Sequence, residues 1–157
     1  NLQWCYETNL FATEALADIL HVELPTIDMP TPRESRSDVV LDHLVRQLGS
    51  ISVDDDFTRY QLRTMFRMAR HAERLDEIGD ELSEHDLDDL TPLLGHRPDS
   101  WLEGEAALEK FVVANSATSE FDVQLLHIFH KRHLRAQMTL GPASSAMTRH
   151  ATIQRFS

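Results

Sequence analysis

His127, His130 and His133 recur at three-residue spacing inside the stretch "VQLLHIFHKRHLRAQMTLGPASS", beside Lys131, Arg132 and Arg135. At about 100° per residue, and with Val123 at the origin, the three imidazoles fall near about 40°, 340° and 280°, among Leu126, Phe129, Leu134, Ala136 and Leu140. Gln124, Lys131, Arg132, Arg135 and Thr139 form the opposing polar arc. The imidazoles are therefore expected to point inward. Burying one without a partner costs on the order of 1–3 kcal/mol, so three on an apolar face call for polar neighbours or for a ligand. His130 and His133, or His127 and His130, are near enough at i and i+3 to share one small ion, whereas all three fan over about 120°. A haem needs only one axial imidazole from a helix. The Glu-x-x-His pairs of di-iron bundles have only Asp18 and His21 as a counterpart here. Satisfied core histidines, a metal ion on His130 and His133, and a haem are the three readings this helix supports.

A second group able to do chemistry is a stripe of arginines. Arg59, Arg63, Arg67, Arg70 and Arg74 follow one another at steps of four, four, three and four and so share one helix face. Tyr60, Leu62, Met65, Met68, Ala72, Leu75 and Ile78 occupy the rest of that helix and are expected to form its inner side. The stripe then faces solvent, making internal ion pairs, or docks an acidic partner, or clamps a small anion. Nine of the seventeen residues from 73 to 89 are acidic, so the basic stretch runs directly into a neutralising one.

Composition narrows what such groups can serve. The chain has 157 residues, 41% hydrophobic and 26% charged, with a net charge of −11. That length suits one helical domain over residues 1–157, with enough core to fold without a disulfide or a structural metal. The charge opposes nonspecific nucleic-acid binding, because phosphates are repelled overall. The lone Cys5 leaves no internal disulfide, which with the lack of an apolar run of ~18 residues points to a cytoplasmic product with no membrane span. Cys5 itself is expected to be a small buried apolar side chain. Opening at Asn1 with the apolar pattern already under way, the chain is read as a fragment or processed piece of something longer.

Five helices must position these groups, and no strand-like alternation is present. The first covers residues 2–23, with Gln3, Glu7, Glu14, Asp18 and His21 on a narrow polar stripe. Leu2, Trp4, Leu10, Phe11, Leu16, Ile19, Leu20 and Val22 cover most of the remainder, so this helix is expected to be largely buried. Three prolines make residues 24–37 an extended connection. Ser37 suits the N-cap of a helix over 38–48 that Gly49 ends. A third helix follows the "SVDDD" caps and runs to about residue 82. The acid-rich "SEHDLDDLTPLLGHRP" after it reads as a turn region with one helical turn at most. Ser100 and Glu103 have capping-box spacing before a helix over 101–115, and Ser119 suits the cap of the histidine helix over 120–140. An antiparallel all-α bundle of about five helices results.

The segment "FHKRHLRAQMTLGPASS" is similar to the proximal segment of the haem-dependent aromatic oxygenases, the tryptophan and indoleamine dioxygenase family. Carried over by motif, the resemblance implies that His133, after Arg132, is the axial haem ligand, and that Gly141, Ser144 and Ser145 open the loop beside the substrate. It also implies dioxygen insertion into an indole or related ring. Where that family has a run of glycines with threonine, this chain has "GPASSAMTRH".

Two functions of different class therefore stand side by side. One is a helical domain or subunit that acts through a partner protein or the remainder of a longer chain, without catalysis, with Arg59, Arg63, Arg67, Arg70 and Arg74 at the contact. The other is a haem-binding, oxygenase-like domain. There His133 is the ligand and His130 its alternative, His127 lies in reserve as a hydrogen-bond donor, and Arg132 or Arg135 holds a propionate.

Overall fold

The structure is a computed structural model that describes residues 2–140. Within them the chain is all helical: α1 (Leu2–Leu20), α2 (Asp38–Ser50), α3 (Asp56–Leu94), α4 (Trp101–Asn115) and α5 (Asp122–Met138). The all-α fold of about five helices expected from the sequence is what forms. Gly141, Ser144 and Ser145 lie outside the described residues.

Local chemistry explains most of the helix ends. α1 stops at Leu20 rather than at Glu23 because His21 takes a left-handed conformation, φ 54°. The Val22 N–H then donates to the Ala17 carbonyl at 2.9 Å and the His21 N–H to Asp18 at 3.2 Å, the paired closure that uses up orphan carbonyls at a helix C-terminus. Gly95, φ 76°, ends α3 in the same conformation, its N–H donating to the Thr91 carbonyl. Ser37 does not cap α2 with its side chain. Asp38 accepts from the Ser35 N–H instead, at 2.9 Å. Gly49 does not end α2 either; the helix continues to Ser50. A Cβ on Gly49 would sit 3.3 Å from the Phe66 ring, so the residue serves close approach. Ser100 caps α4 as its spacing predicts, accepting from the Glu103 N–H at 3.3 Å.

The largest departure is α3. Its 39 residues run through the acid-rich stretch that reads as a turn. Leu87, Leu90 and Leu93 from that stretch are buried, as is Leu82 just before it. Their spacing is that of a helical apolar face, and the density of acids masks it. Pro92 is tolerated near the C-terminal end of the helix.

The described residues form two compact units. One comprises residues 2–28 and Glu81–Arg135. Its core is Leu90, Leu93, Leu108 and Ile128, with Phe111, Phe121, Leu125 and Phe129 packed around it. Phe111 and Phe121 meet edge to face at 4.9 Å. Gly104 lets α4 approach α3: a Cβ there would lie 3.1 Å from side-chain carbons of both Leu87 and Leu90. The other unit comprises Met29–Asp80 with residues 136–140. Its buried residues include Val45, Ala69, Arg74 and Ile78. Arg33 ties the extended segment to α3, donating through Nε to the Asp76 carbonyl at 2.9 Å and through Nη1 to Asp80 at 2.5 Å.

Two helices depart in part from the faces expected, although Leu10 and Ile78 are buried as expected. α1 buries Leu10, Thr13, Glu14 and Ala17, while Phe11, Leu16, Ile19 and Leu20 are exposed. The N-terminal half of α3 exposes Phe57, Tyr60, Met65, Met68 and Leu75 and buries Arg74. Cys5 is exposed rather than buried.

Candidate functional site

The histidines of α5 do turn toward neighbouring elements, and α1 and the chain after it meet them with polar groups. Thr13 Oγ1 lies 2.9 Å from His133 Nδ1 and also donates to the Asn9 carbonyl at 2.8 Å. The hydroxyl has one proton, which Asn9 takes, so His133 Nδ1 must be the donor to Thr13. That tautomer leaves the lone pair on Nε2. Burial holds the His133 imidazole below its ordinary pKa, and the neighbouring His130 and Arg132 add to the effect. His127 Nε2 is 2.9 Å from the Glu23 carbonyl. His130 Nε2 stands 4.0 Å from the carboxylate of Glu14, itself a buried side chain. Glu14 belongs to the polar stripe of α1, and it turns inward with its carboxylate toward His130. Among the described residues, no group of three His, Cys, Asp or Glu side chains is placed to hold one metal ion.

The basic residues of α5 also turn inward. Arg135, only 6% exposed, donates to Asp86 at 2.5 Å and to Asp89 at 2.6 Å. Lys131 donates to Asp89 at 2.6 Å, and Arg132 pairs with Glu105. The expected solvent-facing polar arc is thus the seam by which α5 grips α3 and α4. The two aspartates respond in opposite directions. Burial is the largest effect on both, and it carries Asp86 above the ordinary carboxylate range. At Asp89 the hydrogen bonds from Lys131 and Arg135 outweigh it and hold the carboxyl low. Both guanidiniums that a haem propionate would need are committed to carboxylates of the chain itself.

The arginine stripe divides. Arg74 is buried, pairs with Glu77, and donates through Nε to the Met138 carbonyl at 3.3 Å. His71 Nδ1 is 3.0 Å from the Thr139 carbonyl, so two α3 side chains meet the carbonyls at the end of α5, where a positive group is favourable. Arg70 pairs with Glu73 at 2.9 Å and lies 5.5 Å over the Phe66 ring. Arg59 pairs with Asp56 and donates to the Val53 and Asp54 carbonyls, both at 3.1 Å. Of the stripe, Arg63 and Arg67 alone are exposed, and neither bonds to any described residue.

These two arginines border the exposed apolar strip of α3. Phe57, Tyr60, Met65, Met68 and Leu75 fall within an arc of about 140°, and Arg67 and Arg63 follow beyond Tyr60 by about 20° and 60°. Tyr60 and Met68 are 68% and 65% exposed, far more than an inner face allows. On the other flank Arg63 lines a cleft of about 500 Å³, together with Leu48, Ile51, Leu62 and Phe66. Side chains of α2 extend the apolar surface of the unit, with Val39, Val40 and Leu44 exposed. The sequence already held the signal for this strip, but periodicity alone does not say which side of an amphipathic helix is covered by the same chain.

Comparison with protein-family models, with curated proteins and with solved structures gave no match. No described helix is long and apolar enough to cross a membrane.

Proposed function

We propose that this chain is a helical interaction module, without catalysis of its own, that docks an acidic amphipathic partner on the outer face of α3. The observation that carries the reading is the exposed strip Phe57, Tyr60, Met65, Met68 and Leu75, with Arg63 and Arg67 beside it and no described residue neutralising either. Contiguous exposed apolar surface rimmed by polar groups marks interaction sites. Aromatic, methionine and arginine side chains are the types enriched at such contacts. An apolar helix face bearing acids along one edge would bury the strip and pair with the two guanidiniums. The cleft beside Arg63 offers a place for one anchoring apolar side chain. Arg59, Arg70 and Arg74 support the face from within, because their charges are already used.

The test is calorimetric titration of the full chain with a synthetic helical peptide bearing leucines on one face and glutamates along its edge. Binding that weakens with salt, and that falls by about tenfold or more in the Arg63→Glu/Arg67→Glu variant, is expected. Absence of binding, or equal affinity in the variant, would contradict the reading.

A second reading, haem binding of the aromatic-oxygenase kind, is favoured by one observation. Nδ1 of His133 is held by Thr13, an arrangement that orients an imidazole and presents Nε2 to a metal. Arg132 and Arg135 would have to leave their carboxylates to serve such a group. A Soret band on adding haem that is lost in His133→Ala would support it, and a colourless protein would end it.

A further inference from the structure

We infer that the partner on α3 is a second copy of this chain, which presents the outer face of its α1. This rests on the reading of α3 as a docking face and names its occupant.

Charge is segregated along the sequence in the way such a contact requires. Residues 1–32 carry the acids Glu7, Glu14, Asp18, Glu23 and Asp28 and no lysine or arginine. Residues 57–72 carry Arg59, Arg63, Arg67 and Arg70 and no acid. The outer face of α1 is apolar, with Phe11, Leu16, Ile19 and Leu20 all exposed, Ile19 at 73%. These four span an arc of about 180°, and Asp18, also exposed, borders it on the Phe11 side. α1 thus offers what α3 lacks: an apolar helix face with a carboxylate along one edge. The strip on α3 runs about 27 Å and the α1 face from Phe11 to Leu20 about 13 Å, so the shorter fits within the longer.

Other occupants within the chain suit α3 less well. Residues 141–157 carry Arg149, His150 and Arg155 and no acid, the same sign as Arg63 and Arg67. Pairing α3 with α3 of another copy would bring two sets of arginines together, which like charges oppose. The contact joins unlike faces, so each copy has one of each to offer.

Sedimentation velocity of the full chain over a range of concentrations tests this, with two variants whose helicity is checked by circular dichroism. Arg63→Glu/Arg67→Glu alters only the α3 face, and Leu16→Gln/Ile19→Gln only the α1 face, all at exposed positions. The expected result is association of the unaltered chain, with each variant weakened by about tenfold or more. An equimolar mixture of the two variants should give a species of two chains, because one unaltered α1 can still meet one unaltered α3. A monomer at every concentration, association that either variant leaves unchanged, or a mixture that stays monomeric would overturn the inference. If the chain stays monomeric yet binds the acidic peptide, only this inference falls and the docking reading stands. If it binds neither itself nor the peptide, both fall.

Discussion

Thr13 and Asp89 show how single polar groups set the stability of this fold. The Thr13 hydroxyl satisfies a nitrogen of His133 inside the protein. Thr13→Val, which keeps the shape and removes the oxygen, is expected to cost about 1–3 kcal/mol in denaturant unfolding, the penalty for an imidazole left without its partner. His133 also gives stability a pH dependence of known sign. Its pKa is lowered in the folded state, so between that value and about 6.5 the unfolded chain binds a proton that the folded chain does not. Stability contributed by this group therefore rises with pH across that window and is constant below it; His133→Gln should flatten that part of the profile. The aspartates beside Arg135 act oppositely to each other. Asp89, held low, contributes stability that is present above the ordinary carboxylate pKa and lost as pH falls through the folded value. Asp86, raised by burial, works against the fold once it ionises. At neutral pH Asp89→Asn should accordingly destabilise more than Asp86→Asn. The reverse order in urea denaturation would contradict the assignment. The inward turn of the histidines is readable from the sequence by wheel position, because leucine, isoleucine and phenylalanine surround them. Their partners were not, since Thr13, Glu14 and the Glu23 carbonyl lie more than a hundred positions away in the chain.

At the scale of elements, α3 is where sequence pattern and structure part company. The end expected near residue 82 came from the density of acids, which read as a solvated turn. In the fold those acids meet Lys131, Arg132 and Arg135 of α5 and Arg97, while the leucines between them fill the core. Helix ends with a local cause were legible, as at Ser100, and the position of His21 was not, because a non-glycine left-handed residue has only a weak sequence signal. Two substitutions test the packing. Gly104→Val puts branched carbon where even a Cβ would lie 3.1 Å from Leu87 and Leu90. It should cost on the order of 1–3 kcal/mol by overpacking. His21→Gly should raise stability by up to about 1 kcal/mol, since glycine reaches the left-handed conformation without strain. Thermal melts of both variants check these signs.

For the whole molecule, the expectation of an all-α chain of about five helices holds, because helical periodicity is legible in most segments and strand-like alternation in none. What periodicity could not give was the direction of amphipathic faces. α1 turns Glu14 inward toward His130 of α5, and α3 turns Arg74 inward toward the end of α5, while Phe11, Leu16, Ile19 and Leu20 of α1 and Tyr60, Met65, Met68 and Leu75 of α3 stay exposed. A chain that uses its polar faces for its own interior has apolar faces available for a partner. The most direct test is hydroxyl-radical footprinting of Tyr60, Met65 and Met68 on the unaltered chain and on Arg63→Glu/Arg67→Glu, each with and without the acidic helical peptide. Protection of those three side chains in the unaltered chain when the peptide is present, and its loss in the variant, is the expected result; equal oxidation with and without peptide would contradict the account.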